Sequence, residues 1–277
     1  MSGTLFFGNI NLTDTYGLKI GGVRSYQGVG STGGLTVIPG RIGALATVNT
    51  VSVGGFSFPD WPDGLPNEIR EYDTALYMRN ASDAEVEARM TELRRLLLIN
   101  RTTYVMLRDT YEPSFFRMAR FTGDFLPERK GAGQNFKITL RFSCDPRRYF
   151  ANVPDVQITQ LSDTFSPEES GIEGIVIDTL AKPIIKIEGD GNALSLYFRS
   201  LPSRDIYGQI NISAFYGLIE IDTNDMIAKS VGASTTTGGP FIVDVEGTIC
   251  LLPSGCIVER TVGSEAVVTV SPRWWVR

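Results

Sequence analysis

The sequence has 277 residues, with 26 Lys and Arg against 31 Asp and Glu for a formal charge of −5, and it contains no histidine. Without imidazole there is no Ser-His-Asp or Cys-His nucleophile, no His-ligated zinc or iron, and no His proton relay near neutral pH. Hydrophobic residues at 42% and charged residues at 21% are proportions of a globular chain, long enough for one large or two ordinary domains.

Short runs rich in Val, Ile, Thr, Tyr and Phe predict strands at 35–38, 46–53, 103–108, 115–125 and 135–144 in the first half. In the second half they predict strands at 184–188, 193–198, 218–221, 241–245 and 266–270. The 29 glycines and 14 prolines fall mainly between these runs, the pattern of β-sandwiches or barrels rather than of βαβ units. One helix interrupts them: Ser82 and Glu85 form a capping-box signature, and Val86, Met90, Leu93 and Leu97 recur at helical spacing, giving a helix over about 83–99. Its apolar stripe is expected to pack on a sheet rather than in a partner's groove.

A composition break falls near Phe150. Residues 1–150 carry 18 basic and 15 acidic side chains, net +3; residues 151–277 carry 8 and 16, net −8, and together these give the −5. The stretch 151–174, poor in strand formers, reads as a linker into an acidic second domain, with a surface excursion of one domain as the alternative. Cys144, Cys250 and Cys256 are odd in number and thinly spread, pointing to a reducing compartment, with Cys250 and Cys256 read as buried thiols rather than a bridge. Neither a signal peptide nor an apolar run of membrane-spanning length is expected.

Candidate chemistry is sparse. Glu168 and Glu169 are adjacent in a loop-like stretch and read as solvated rather than as a catalytic pair; Asp222 to Asp225 lacks the glycine and glutamate of a calcium loop. The Gly28 to Gly34 loop lacks a phosphate-cradling ending, and Gly189-Asp190-Gly191 reads as a hairpin turn between two strands. Basic residues interleave with aromatics between Arg101 and Arg148, which suits ion pairing better than nucleic acid in a chain this acidic. No catalytic, cofactor or metal residues are assigned, and the chain is not expected to be an enzyme.

The run from Tyr104 to Phe150 resembles the core segment of the siphophage distal tail (Dit) proteins. It has a hydrophobic strand, Asp109 with Tyr111 and Pro113, Arg117 and Ala119 on a strand, a Gly123-Asp124 turn, and a strand ending in Cys144-Asp145-Pro146. Gly40 to Gly43 and the helix sit where that family has a turn and its helix. Ala181 to Gly191, Ile219 to Thr223, Leu251 to Gly255 and Pro272-Arg273-Trp274-Trp275 resemble the family's galectin-like C-terminal domain and its ending.

The resemblance implies two mainly β, sandwich- or barrel-like domains. A ring-forming N-terminal domain would span 1–150, with 265–277 returning to it, and a galectin-like domain would span 151–264. It also implies a non-enzymatic virion protein, a homohexameric hub ring at the tail tip, assembled in the host cytoplasm. Partners would be the tail tube protein, the tail-associated lysin or fibre protein, and receptor-binding proteins, with no membrane and no sequence-specific nucleic acid. With 277 residues leaving no room for an inserted sugar-binding module, the outer domain is expected to be structural.

Arg117, Arg120, Arg129, Lys130, Arg147 and Arg148 are the candidates for ion pairs between ring subunits, so that reversing Arg117 and Arg120 to Glu should spare the fold. Trp274 and Trp275 are expected to pack against the body. Two rival readings remain: a carbohydrate-binding adhesion module using Tyr197, Tyr207, Phe215 and Tyr216, and a tail-tube-like ring protein.

Overall fold

The computed structural model describes residues 3–20, 23–26, 34–38, 49–53, 56–60, 67–78, 81–99, 101–129, 135–159, 161–177, 179–189, 193–213, 215, 217–224, 226–231, 242–261 and 265–276. The chain divides into two compact units. One comprises Met1–Thr47 and Pro62–Ala151 with Arg277, the other Val48–Trp61 and Asn152–Val276.

In chain order the elements up to residue 150 are β1 (Leu5–Phe7), β2 (Ile10–Asn11), α1 (Leu12–Tyr16), β3 (Leu18–Ile20), β4 (Val23–Tyr26), β5 (Gly34–Ile38), β6 (Asn49–Val53) and β7 (Phe56–Asp60), followed by β8 (Glu68–Tyr77), α2 (Asp83–Ile99), β9 (Val105–Asp109), β10 (Phe115–Phe121), β11 (Glu128–Arg129), β12 (Asn135–Cys144) and β13 (Arg148–Phe150). β6 and β7 pair only with each other, as a hairpin that groups with the second unit. The rest build one sheet along the path β2-β1-β9-β10-β12-β8-β5-β4, with β3 pairing off it to β8, β11 to β12 and β13 to β10, antiparallel except for β4 with β5.

Its spine is the pairing of β8 with β12 along all ten residues of each, from Glu68↔Cys144 to Tyr77↔Asn135. Strand alternation turns Ile138, Leu140, Phe142 and Cys144 inward, all fully buried. Phe142 is the centre of the core: its ring lies 5.0 Å from Phe7, 5.9 Å from Tyr72 and 5.7 Å from Phe121, the last two edge-on. Helix α2 begins as its sequence predicts, with Glu85 Oε2 accepting from Ser82 N at 2.7 Å and Ser82 Oγ accepting from Glu85 N at 3.3 Å. Val86, Leu93 and Leu97 bury its apolar stripe in the same core.

The second unit holds β14 (Val156–Ile158), β15 (Ser162–Phe165), β16 (Ile184–Glu188), β17 (Leu194–Ser200), β18 (Ile206–Ile212), β19 (Leu218–Asp222), β20 (Ile227–Val231), β21 (Val243–Gly247), β22 (Cys256–Arg260) and β23 (Val267–Ser271). They form two antiparallel five-stranded sheets, β14-β23-β16-β19-β20 and β15-β22-β17-β18-β21. Each buries alternate residues, among them Ile185, Ile187, Val268 and Val270 in one and Leu194, Leu196, Phe198 and Val258 in the other. The fold class is therefore mainly β, as the spacing of strand formers implies.

Several expectations are corrected. Residues 151–174 are no linker: they supply β14 and β15, an edge strand of each sheet, whose few apolar residues suffice because an edge has one neighbour. Gly189 to Gly191 does not close a hairpin, since β16 pairs with β19 and β23 while β17 pairs with β18 and β22; the turn passes the chain from one sheet to the other. At the expected strand 266–270, Val267–Ser271 forms β23, which lies between β14 and β16. β10 stops at Phe121 rather than Phe125: the N–H groups of Thr122 and Gly123 both donate to the Arg141 carbonyl, at 2.9 and 3.1 Å, so two residues face one and the regular ladder ends. Gly40 to Gly43 and the Gly28 to Gly33 part of the first loop lie outside the described residues.

Candidate assembly surface

The basic, aromatic segment of the sequence resolves into an inner and an outer set. The inner set surrounds Arg70 on β8, which is 2% exposed. Its Nε donates to Glu68 at 2.7 Å, Nη1 to Asp109 at 2.9 Å, and Nη2 to Glu112. Arg117, on β10, donates to Glu112 at 2.6 Å and lies 3.4 Å from Glu68. Asp109 also accepts from the Tyr72 hydroxyl and, through Oδ1, from the backbone N–H of Tyr111 at 2.9 Å and Glu112 at 3.0 Å.

Two arginines and three carboxylates thus pair inside the sheet, where an unpaired charge costs most, and the remaining negative charge is met by the Tyr72 hydroxyl and the two backbone N–H groups on Asp109. Burial, reinforced by the charge of Asp109, raises the Tyr72 phenol well above its ordinary pKa, which keeps it a donor. Burial pushes the Cys144 thiol beside them up to about 12.

Arg117 is therefore not available to a neighbouring subunit. Reversing it to Glu would set a third buried carboxylate against Glu68 and Glu112, so the expectation that this change spares the fold is corrected. The remaining candidates separate by partner. Arg147 is satisfied by Asp145, through its backbone N and Nε at 2.9 Å and Nη2 at 2.7 Å. Arg148 lies 5.3 Å over the Phe115 ring, and Arg129 is exposed on β11. Lys130 lies outside the described residues.

Arg120 sits on the outward face of β10, with its guanidinium 5.4 Å over the Tyr104 ring; its Nε, like those of Arg117 and Arg260, is buried without a hydrogen-bond acceptor, but unlike Arg117 it has no carboxylate beside it among the described residues. Tyr104 is itself held, because Asn67 Nδ2 donates to its hydroxyl at 2.7 Å and to Ser143 Oγ at 2.8 Å. Ser143 is the residue directly across from Arg120 on β12.

Both C-terminal indoles are buried. Trp274 is fully buried and donates to Ser170 Oγ at 2.8 Å; Trp275 donates to the Leu180 carbonyl at 3.1 Å and accepts from Thr179 Oγ1 at 3.0 Å. Arg273 ties the same tail to the Lys182 carbonyl at 2.7 Å and to Asp222. Of the aromatics proposed to stack on a sugar, the three described ones make contacts within the chain. Phe215 is buried, Tyr207 donates to the Cys250 carbonyl at 2.7 Å, Tyr197 lies half-buried under Arg199 at 5.8 Å, and Tyr216 lies outside the described residues.

Sequence reasoning missed Arg70, Glu68 and Glu112. Arg70 and Thr74 occupy inward positions of β8 beside Tyr72 and Leu76, so the strand lacks the apolar alternation that announces one.

No family model matches the chain, and no curated protein matches it. Among solved structures, it is similar to the SPP1 Dit protein, described as a hub adsorption apparatus in phages infecting Gram-positive hosts, at 16% identity over 98% of this chain and 99% of that one, with a TM-score of 0.47. It is also similar to a chain of the phage p2 baseplate in its activated conformation, at 13% identity over 97% of both chains, with a TM-score of 0.51. The fold is that of a phage baseplate chain. The motif residues Asp109 and Arg117 are internal, while Arg120, Arg147 and Arg148 are half-buried and Arg129 is exposed.

Proposed function

We propose that this chain is a structural virion protein of the Dit type, a homohexameric hub ring at the distal end of a siphophage tail. It joins the tail tube to the tail-associated lysin or fibre protein and carries receptor-binding proteins on a galectin-like second unit, at the tail tip of a virion assembled in the host cytoplasm. The observation that supports this reading most is the end-to-end likeness to a baseplate chain, which spans both units rather than one common sandwich. The heavy use of buried ion pairs to fix strands, with no histidine anywhere, suits a scaffold more than a proton-transfer site.

Mass measurement by light scattering with negative-stain microscopy of the purified protein tests it. A closed six-fold ring of about six times the 30.4 kDa subunit is expected. Extended tubes would favour the tail-tube reading, and a monomer at all concentrations would refute the hub.

A further inference from the structure

We infer that the Arg120 guanidinium is a docking point for an acidic side chain of a second copy of this chain, an inference that rests on the ring reading above. The observation that carries it is a missing partner. Nε of Arg120 is buried and meets no acceptor, and among the described residues no carboxylate reaches the guanidinium. Nε itself has no surface that a second copy could reach, so an acceptor from outside would pair with the rest of this half-buried guanidinium, to which no described carboxylate is bonded.

The surroundings fit such an arrival. Tyr104, stacked beneath the guanidinium, is fixed by the shared donation from Asn67, so the arginine is oriented before anything binds and loses little freedom on docking. Met118, next along the same face of β10, pairs across to Met106 on β9, and both are half-buried. Methionine, tyrosine and arginine together are the residue types enriched at the centres of protein interfaces.

The other end of the same sheet face has the opposite character. There Arg141 pairs with Glu71 at 3.3 Å, Lys137 with Asp73 at 3.6 Å, and Thr139 donates to Asp73 at 2.7 Å, so its charges are answered within the chain and face water. The face is thus split between a self-satisfied half and a half that lacks an acceptor.

A second copy can supply that acceptor. Residues 151–277 carry a net charge of −8 against +3 for residues 1–150, so each copy brings surplus carboxylates to a contact with the basic part of the next. Head-to-tail packing around a closed ring repeats one such unlike-charge contact at every interface.

The test uses the full chain carrying Arg120→Met, which keeps the stem and removes the charge, and Arg120→Lys, which keeps the charge without the planar fork. The subunit dissociation constant is read by concentration-dependent mass measurement, with melting curves of the dissociated subunits as the folding control. The expected result is a dissociation constant raised about tenfold or more in Arg120→Met and partly restored in Arg120→Lys, with the control unchanged. A photo-crosslinking residue at position 120 should join two copies at a peptide containing Asp or Glu. Wild-type rings whose dissociation is unaltered by Arg120→Met overturn the docking point and leave the hub reading standing. Crosslinks confined to one copy overturn it equally. A wild-type protein that never associates removes both.

Discussion

Replacing Arg70 with methionine is expected to destabilise the first unit by about 3–5 kcal/mol, the range for removing one partner of a buried ion pair. The structure supports the upper part of this range. Arg70 makes three charge-assisted contacts, to Glu68, Asp109 and Glu112, and the side chains of Arg70 and Asp109 are 2% and 3% exposed. Each such contact contributes about 1.5–3 kcal/mol, but the three share one cation and do not add.

Partial compensation survives in the variant. Asp109 keeps the Tyr72 hydroxyl and two backbone donors, and Glu112 keeps Arg117 at 2.6 Å. A fall in Tm of about 10–15 °C follows for a unit of this size. Urea denaturation monitored by circular dichroism measures the loss, and the double variant Arg70→Met/Asp109→Asn should recover part of it, because the stranded anion is then gone. A loss below about 1 kcal/mol, with nothing recovered in the double variant, would refute the view that these charges depend on one another inside the sheet.

Three further outcomes are expected. Phe142→Ala removes the ring that meets Phe7, Tyr72 and Phe121 and should cost about 3–5 kcal/mol by the same denaturation assay. Deleting residues 272–277 should lower the melting temperature of the second unit, because Arg273, Trp274 and Trp275 bond to Lys182, Ser170, Leu180 and Asp222, all of that unit; separate fluorescence and limited-proteolysis readouts localise the loss. The thiols of Cys144 and Cys250, both pushed up to about 12 by burial, stay neutral at pH 8, so a thiol reagent should label neither in the folded protein within minutes and all three cysteines after unfolding in guanidinium.

How much of this was legible in the sequence follows from where the apolar alternation is intact. β12, β16 and α2 have the bounds their patterns predict, because each presents an uninterrupted apolar face to its core. β8 is invisible in the sequence, although it is the longest neighbour of β12, because its inward face carries Arg70 and Thr74, whose partners are distant: Asp109 and Glu112 for Arg70, 39 and 42 residues away, and the Ile138 carbonyl on β12 for Thr74. β14 and β15 were taken for a linker because edge strands need few strand formers. The arginines of β10 read alike in the sequence, because a strand shows only which residues alternate, not which side is the core. Arg117 and Arg120, three positions apart on β10, therefore looked equivalent and lie on opposite faces.

That division bears on how the resemblance should be used. Asp109, Tyr111, Arg117 and Ala119, the residues by which the segment resembles the Dit proteins, are accounted for inside this subunit: Asp109 holds the Tyr111 and Glu112 amides and Arg70, Arg117 holds Glu112, and Ala119 is fully buried. Gly123 is constrained by Arg141 and its carbonyl accepts from Arg101 at 2.8 Å, while Asp145 is constrained by Arg147. A motif made of such residues reports the demands of the strand junctions, which any subunit of this fold must meet whatever it touches. Contacts between subunits can vary as long as both sides vary together, so they are to be sought among residues the motif does not contain and the fold does not use. On β10, Arg120 is the charged residue that meets both conditions.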